Sequence, residues 1–285
     1  VSADLLSVAV RTLAFVCLFQ AAGAAFFMLL FGRRLAISQA AIRRLGLWTA
    51  LAAIPLLAAH QALDAARMAD SLSGLGDAHL QSLAWQGTSG NAAVLQMIGL
   101  AVIALGLARH QTPTADLAST GAFIAASAAV LTGHTSVHSE RPLLAALLAV
   151  HLVLVAFWFG ALLPLMICSW RESRQVAAAL LREFSDVAGP LVPCIAIAGL
   201  VMALILMPDR ASWSTEYGSL VLVKLFAFAV LMLLAAWNRW RAVPAIANSA
   251  TVAAGQALRA SIAVEYGLIV AVLAVTATLT TIYSP

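Results

Sequence analysis

Two histidines four residues apart, His134 and His138 in the stretch TGHTSVHSERP, stand between two strongly apolar runs, and His151 follows inside the second run. Imidazole is the commonest protein ligand for metals and the side chain that changes charge nearest neutral pH. A spacing of four puts both rings on one helical face if the helix before them continues that far. Soluble helices carry such pairs by chance, so their meaning depends on the elements that hold them.

Those elements belong in a bilayer. A chain of 285 residues that is 63% hydrophobic and 10% charged holds more apolar surface than one soluble core can hide. Crossing a hydrocarbon layer of about 30 Å takes roughly 20 helical residues, and runs of that length recur along the chain. The alternating pattern of a membrane β-barrel is absent. Spans are expected near 5–31, 44–63, 91–109, 117–133, 142–168, 187–207, 218–238 and 259–282. The expected fold is therefore all-α, a single transmembrane domain over 1–285 with about eight helices, the fourth short and the fifth long. The first run lacks the basic start and short apolar core of a cleavable signal peptide. The longest polar stretch, 64–90, has room for a short surface helix at most. FQAAGAAFF in the first helix and FWFGALLPL in the fifth share an aromatic and glycine pattern, which hints at a duplicated four-helix unit.

Arginines orient this bundle. Arg33, Arg34, Arg43 and Arg44 fall in the first loop, Arg109 in the third, Arg171, Arg174 and Arg182 in the fifth, and Arg239, Arg241 and Arg259 in the seventh. The even loops hold Arg67, Arg141 and Arg210. Positive residues stay on the cytoplasmic side, so both termini are expected to face outward, to the periplasm if the source is a Gram-negative bacterium. The net charge of +4 reflects this sorting and gives no reason to invoke nucleic acid.

With that orientation His60, His79, His134, His138 and His151 gather toward the outer face, and His110 alone lies on the inner side. Counted from Pro142, His151 lies about 13 Å along its helix, inside the hydrocarbon region, where polar groups are costly and usually functional. It shares a face with Val155, Trp158 and Leu162. In the bland alternative His151 donates to a neighbouring carbonyl and Trp158 fills a helix contact. Met68, Met97 and Met207 lie in or near the same outer half, and thioethers beside imidazoles select copper, above all Cu(I). Cys17, Cys168 and Cys194 form no CxxC motif and no evident disulfide.

Two charges remain within apolar runs. Lys224, the chain's one lysine, enters the seventh helix from the outer side, and Glu265 enters the eighth from the inner side. Roughly 12 Å of axial separation keeps them from pairing directly. Lys224 either serves the ion's route or snorkels toward Glu216; Glu265 either serves it or caps against Arg259 or Arg239. Arg11 is shallower and is expected to snorkel to the interface.

The order TGHTSVH, HLVLVAFWFGALLPL, YGSLVLVKLFAFAVLMLLAAWNRWRAVP and LRASIAVEYGLIVAVLAVTATL resembles the CopD family of bacterial copper-resistance membrane proteins, over roughly 118–285. The resemblance implies copper uptake across the inner membrane beside a periplasmic copper-binding CopC-type protein. It marks His134, His151, Trp158, Gly160, Lys224, Asn238, Arg239 and Glu265, whereas His138 and His60 rest on the residues alone.

The resulting expectation is a copper-binding carrier, not an enzyme, that moves copper from periplasm to cytoplasm. His134 and His151 would be ligands, with His138, His60 and Met207 as candidates to complete the shell. Lys224 and Glu265 would be counter-charges or proton partners, and Trp158, Gly160, Asn238 and Arg239 supporting residues. The rival from another class is a b-type haem electron-transfer protein using pairs among His60, His134 and His151. A copper sensor or assembly scaffold that binds without transporting is the third reading.

Overall fold

The computed structural model describes residues 3–109, 114–133, 139–244 and 252–283, and every regular element among them is helical. In chain order these are α1 (Ala3–Phe31), α2 (Gln39–Met68), α3 (Ala78–Gln86), α4 (Thr88–Ala108), α5 (Thr114–Ser127), α6 (Arg141–Arg171), α7 (Arg174–Leu206), α8 (Glu216–Trp237) and α9 (Val252–Thr281). A 3-10 turn, Ala128–Leu131, prolongs α5, and a π turn, Asn238–Ala242, prolongs α8.

Among the described residues seven helices are long and apolar enough to cross a membrane. The apolar stretch Ala115–Leu131 is shorter, as the sequence led us to expect of the fourth span. Its 17 residues reach about 25 Å, less than a typical hydrocarbon thickness. Inside hydrocarbon only an α-helix satisfies every backbone polar group within its own segment, which is why these Ala- and Leu-rich runs adopt it. The stretch 64–90 takes in the end of α2, one 3-10 turn, α3 and the first residues of α4, pinned when the Gln61 amide donates to Ala84 O at 2.6 Å and Ser89 Oγ at 3.2 Å.

α7 departs from the expected span. It begins at Arg174, where the hydropathy suggested 187, because its first turns are amphipathic. Ala177, Leu180, Leu181 and Phe184 are buried while Arg182, Glu183 and Asp186 face outward.

Cross-helix polar contacts define two ends. At one, which we call the terminal end, Arg67 on α2 binds Asp4 on α1 at 2.9 Å and the Thr281 carbonyl on α9. At the opposite, arginine-rich end, Arg34 meets Glu183 at 3.1 Å and Arg43 donates to Leu107 O at 2.8 Å. There Glu172 accepts the N–H groups of Ile37 and Ser38 at the start of α2.

α1 is the hub, packed against α2, α4, α5, α6 and α9. Its face of Ala21, Ala22, Gly23, Ala24 and Ala25 is closed to solvent, and such small residues let membrane helices approach closely. At its centre Gly23 meets Gly160 of α6 backbone to backbone. The two similar motifs, FQAAGAAFF and FWFGALLPL, thus cross at their glycines. α8 lies at the periphery, with Phe226, Leu233 and Trp240 exposed as on a lipid-facing helix.

Candidate functional site

His151 projects from the terminal half of α6, about 15 Å along the axis from Arg141. Its Nδ1 lies 2.9 Å from the Ile195 carbonyl on α7. A carbonyl only accepts, so Nδ1 carries the hydrogen and, in the neutral ring, Nε2 keeps a lone pair. Metal-binding histidines are commonly held this way, the second nitrogen anchored by a carbonyl or carboxylate. Gly199, one turn beyond Ile195, leaves room for the ring, since a Cβ there would stand 3.3 Å from His151 Cε1. The Lys224 ammonium on α8 is near enough to act on this imidazole electrostatically. The contact of the bland alternative is therefore present, and no partner of Nε2 is found among the described residues.

His60 sits elsewhere on the same end. Its Nδ1 pairs with Ser7 Oγ of α1 at 3.1 Å, within a network of Arg11, Asp64 and Arg67. Arg11 does not snorkel outward as expected. It donates to Thr280 O at 3.0 Å and Thr281 Oγ1 at 3.4 Å, and its guanidinium covers the Phe15 ring at 5.4 Å. This network clasps α1, α2 and α9 together. His60 is thus tied to α1, and His151 to α7.

His134 and His138 lie outside the described residues. Met207 caps α7 with its side chain buried, and its carbonyl accepts Trp213 Nε1 at 3.2 Å. Met68 is exposed, and Met97 packs against the core. Cys17, Cys168 and Cys194 are free. Among the described residues no group of three or more His, Cys, Asp or Glu side chains is placed to hold a metal.

Lys224 makes no hydrogen bond or ion pair among the described residues. Glu265 is 3% exposed and accepts the Asn238 amide at 2.5 Å. Its expected partners, Arg259 and Arg239, are not used. Arg239 instead turns to α7, donating to Ser185 O and to Asp186 Oδ1 at 3.1 Å. Trp158 packs edge-on against Phe228 of α8, with centroids 6.2 Å apart. Trp158, the adjacent pair Asn238 and Arg239, and Glu265, brought from three distant stretches of the chain, line one cavity of about 210 Å3 toward the arginine-rich end.

The sequence reading missed Ile195, Gly199, Gln20 and Asp186. A buried Gln20 donates to Gly160 O at 2.9 Å, and a glutamine in the middle of an apolar run was the available signal.

Residues 178–279 match the sequence model of the family described as Copper resistance protein D, CopD. This stretch, the CopD segment, is similar to that family over about a third of the chain. It covers nearly all of α7, all of α8 and most of α9, and so includes Ile195, Lys224, Asn238, Arg239 and Glu265. It is narrower than the resemblance over 118–285, and His134, His151, Trp158 and Gly160 fall outside it. The inner membrane protein YebZ of Escherichia coli (strain K12) is 32% identical over 102 residues, a stretch covering 34% of this chain and 34% of that protein. The match thus spans about a third of that relative's length. No solved structure matches. The CopD segment supplies the walls around His151, while α6 supplies the imidazole itself.

Proposed function

We propose that this chain is a multi-pass inner-membrane copper carrier, which binds copper at the terminal end and passes it to the cytoplasm as part of copper resistance. The observation that carries the reading is His151. A histidine deep in an apolar helix, with Nδ1 anchored and Nε2 without a partner among the described residues, is held against a helix of the CopD segment. His134 is the second ligand, and His138, His60 and Met207 are candidates to complete the shell. Two or three imidazoles suit capture and release better than a closed sulfur cage. Lys224 and Glu265 stand as the charges along the ion's route, with Trp158, Gly160, Asn238 and Arg239 supporting it. The cargo is carried and not chemically converted, and a periplasmic copper-binding protein of the CopC type is the donor.

The test is metal analysis of the purified protein alongside copper flux in proteoliposomes. Wild type should retain copper and move it. His134→Ala and His151→Ala should each remove most of the bound metal, because a small ligand set does not survive the loss of one imidazole. Unchanged copper stoichiometry in both variants would sink the site.

A further inference from the structure

The cavity at the arginine-rich end has a chemistry of its own. It lies between α6, α7, α8 and α9, with largely apolar walls that include Trp158, Met232 and Ile262. Its polar groups are collected where Ser185, Asn238, Arg239 and Glu265 meet. Arg239 and Asp186 are 41% and 63% exposed, which puts the polar end of the cavity at the protein surface.

No cation pairs with the Glu265 carboxyl among the described residues. Arg239 of the π turn is engaged with α7, where Asp186 is its partner and Glu183 is taken by Arg34. On α8, Lys224 stands 14 residues before Asn238, about 21 Å along the axis. On α9 itself Arg259 is six residues nearer the arginine-rich end, about 9 Å away. α6 holds no charged side chain between Arg141 and Arg171. On α1, Asp4 and Arg11 are held at the terminal end.

A second, independent observation concerns Asn238. Its amide nitrogen serves Glu265, but its Oδ1 is buried and has no donor among the described residues. An unsatisfied buried acceptor is costly, so a donor is expected there. The hydroxyl of a protonated carboxyl or a water molecule supplies one. At about 30 Å3 of liquid volume per water, the cavity has room for several.

We propose that Glu265 is a proton-exchange site reached by water through this cavity from the arginine-rich end, with Asn238 as its positioning residue. The amide N–H holds the ionised carboxylate, and Oδ1 accepts the O–H of the acid. Loading breaks an O–H bond of a hydronium ion at the mouth and forms one on a Glu265 oxygen; release reverses both, with no change in oxidation state. The site requires no metal. Only its coupling to cargo rests on the copper reading.

The test uses metal-free wild-type protein. Dicyclohexylcarbodiimide, an apolar reagent that adds to protonated carboxyls, should modify Glu265 in peptide maps, with a yield that falls as pH rises. The infrared carboxylic C=O band should shift in D2O within minutes and be missing in Glu265→Gln. Asn238→Leu should displace the pH profile and Asn238→Gln should restore it. With the native cysteines replaced, Ala236→Cys should react with a charged thiol reagent from the arginine-rich side. Absence of the adduct at every pH, a band that does not exchange, or a thiol closed to the reagent would each overturn the proposal. Every readout is taken without copper, so failure here and failure of the copper site are separable.

Discussion

Gly23 of α1 and Gly160 of α6 stand backbone against backbone at the centre of the bundle. A Cβ built on Gly160 would lie 2.5 Å from Gly23 Cα, 2.6 Å from Phe19 O and 2.9 Å from Gly23 N. These neighbours are main-chain atoms, so the clash is relieved only by moving one helix off the other. The Gln20 amide, bonded to Gly160 O, fixes the register of the crossing.

Gly160→Ala should therefore lower stability by about 1–3 kcal/mol, the usual range for overpacking, and Gly160→Leu should prevent assembly of a compact protein. Thermal unfolding and size-exclusion chromatography in detergent measure both. An alanine variant as stable as wild type would remove this crossing from the determinants of the fold.

Lys224→Met should preserve insertion and folding while copper flux falls. Replacing a membrane lysine with an apolar residue of similar length relieves about 2.5–3.5 kcal/mol on insertion scales, and no ion pair among the described residues is broken. Loss of expression before loss of flux would assign Lys224 a structural role. Full copper loading and full flux would take it out of the mechanism.

Glu172 yields a pH prediction outside the spans. Partial desolvation works against its charge, but the N–H groups of Ser38 and Ile37 outweigh this and hold its pKa below the ordinary carboxylate value. A lowered folded-state pKa contributes stability that is present above the unfolded value and is lost as pH falls through the folded one. Glu172→Gln should cost about 0.5–1 kcal/mol at neutral pH, the small figure reflecting solvent screening. The difference in thermal midpoint from wild type should close in acid; a difference independent of pH would deny the carboxylate its capping role.

Sidedness is checked with single cysteines in a cysteine-free background. A thiol at Ser139 should react with an impermeant reagent from the periplasm, and one at Ser173 from the cytoplasm. The reverse pattern would invert the direction in which copper is captured.

The spans were legible because hydrocarbon thickness dictates length and composition together. The sorting of arginines also placed the right loops side by side, as the Arg34–Glu183 and Arg239–Asp186 pairs join loops grouped on one side by charge. What a 3.6-residue period does not reveal is a change of period. The π turn at Asn238–Ala242 re-aims consecutive side chains, so Asn238 takes Glu265 and Arg239 takes Asp186. The early start of α7 was hidden because its charges mask a buried face of alanines and leucines. Arg11 was misjudged because its acceptor, Thr280 O, lies 269 positions away, a distance over which no local pattern speaks.

That same separation sets an order of events during biogenesis. α1 leaves the ribosome before its neighbours α5, α6 and α9, and the hydrogen bonds of Arg11 and Arg67 to α9 depend on residues Thr280 and Thr281. Until then two guanidinium groups at the terminal end have no α9 partner, and the narrow glycine and alanine face of α1 lies open to lipid or insertion machinery. The residues of α9, made after those of α1, thus complete the enclosure of α1, and a chain that stalls before α9 would display an unfinished polar cluster for membrane quality control to recognise.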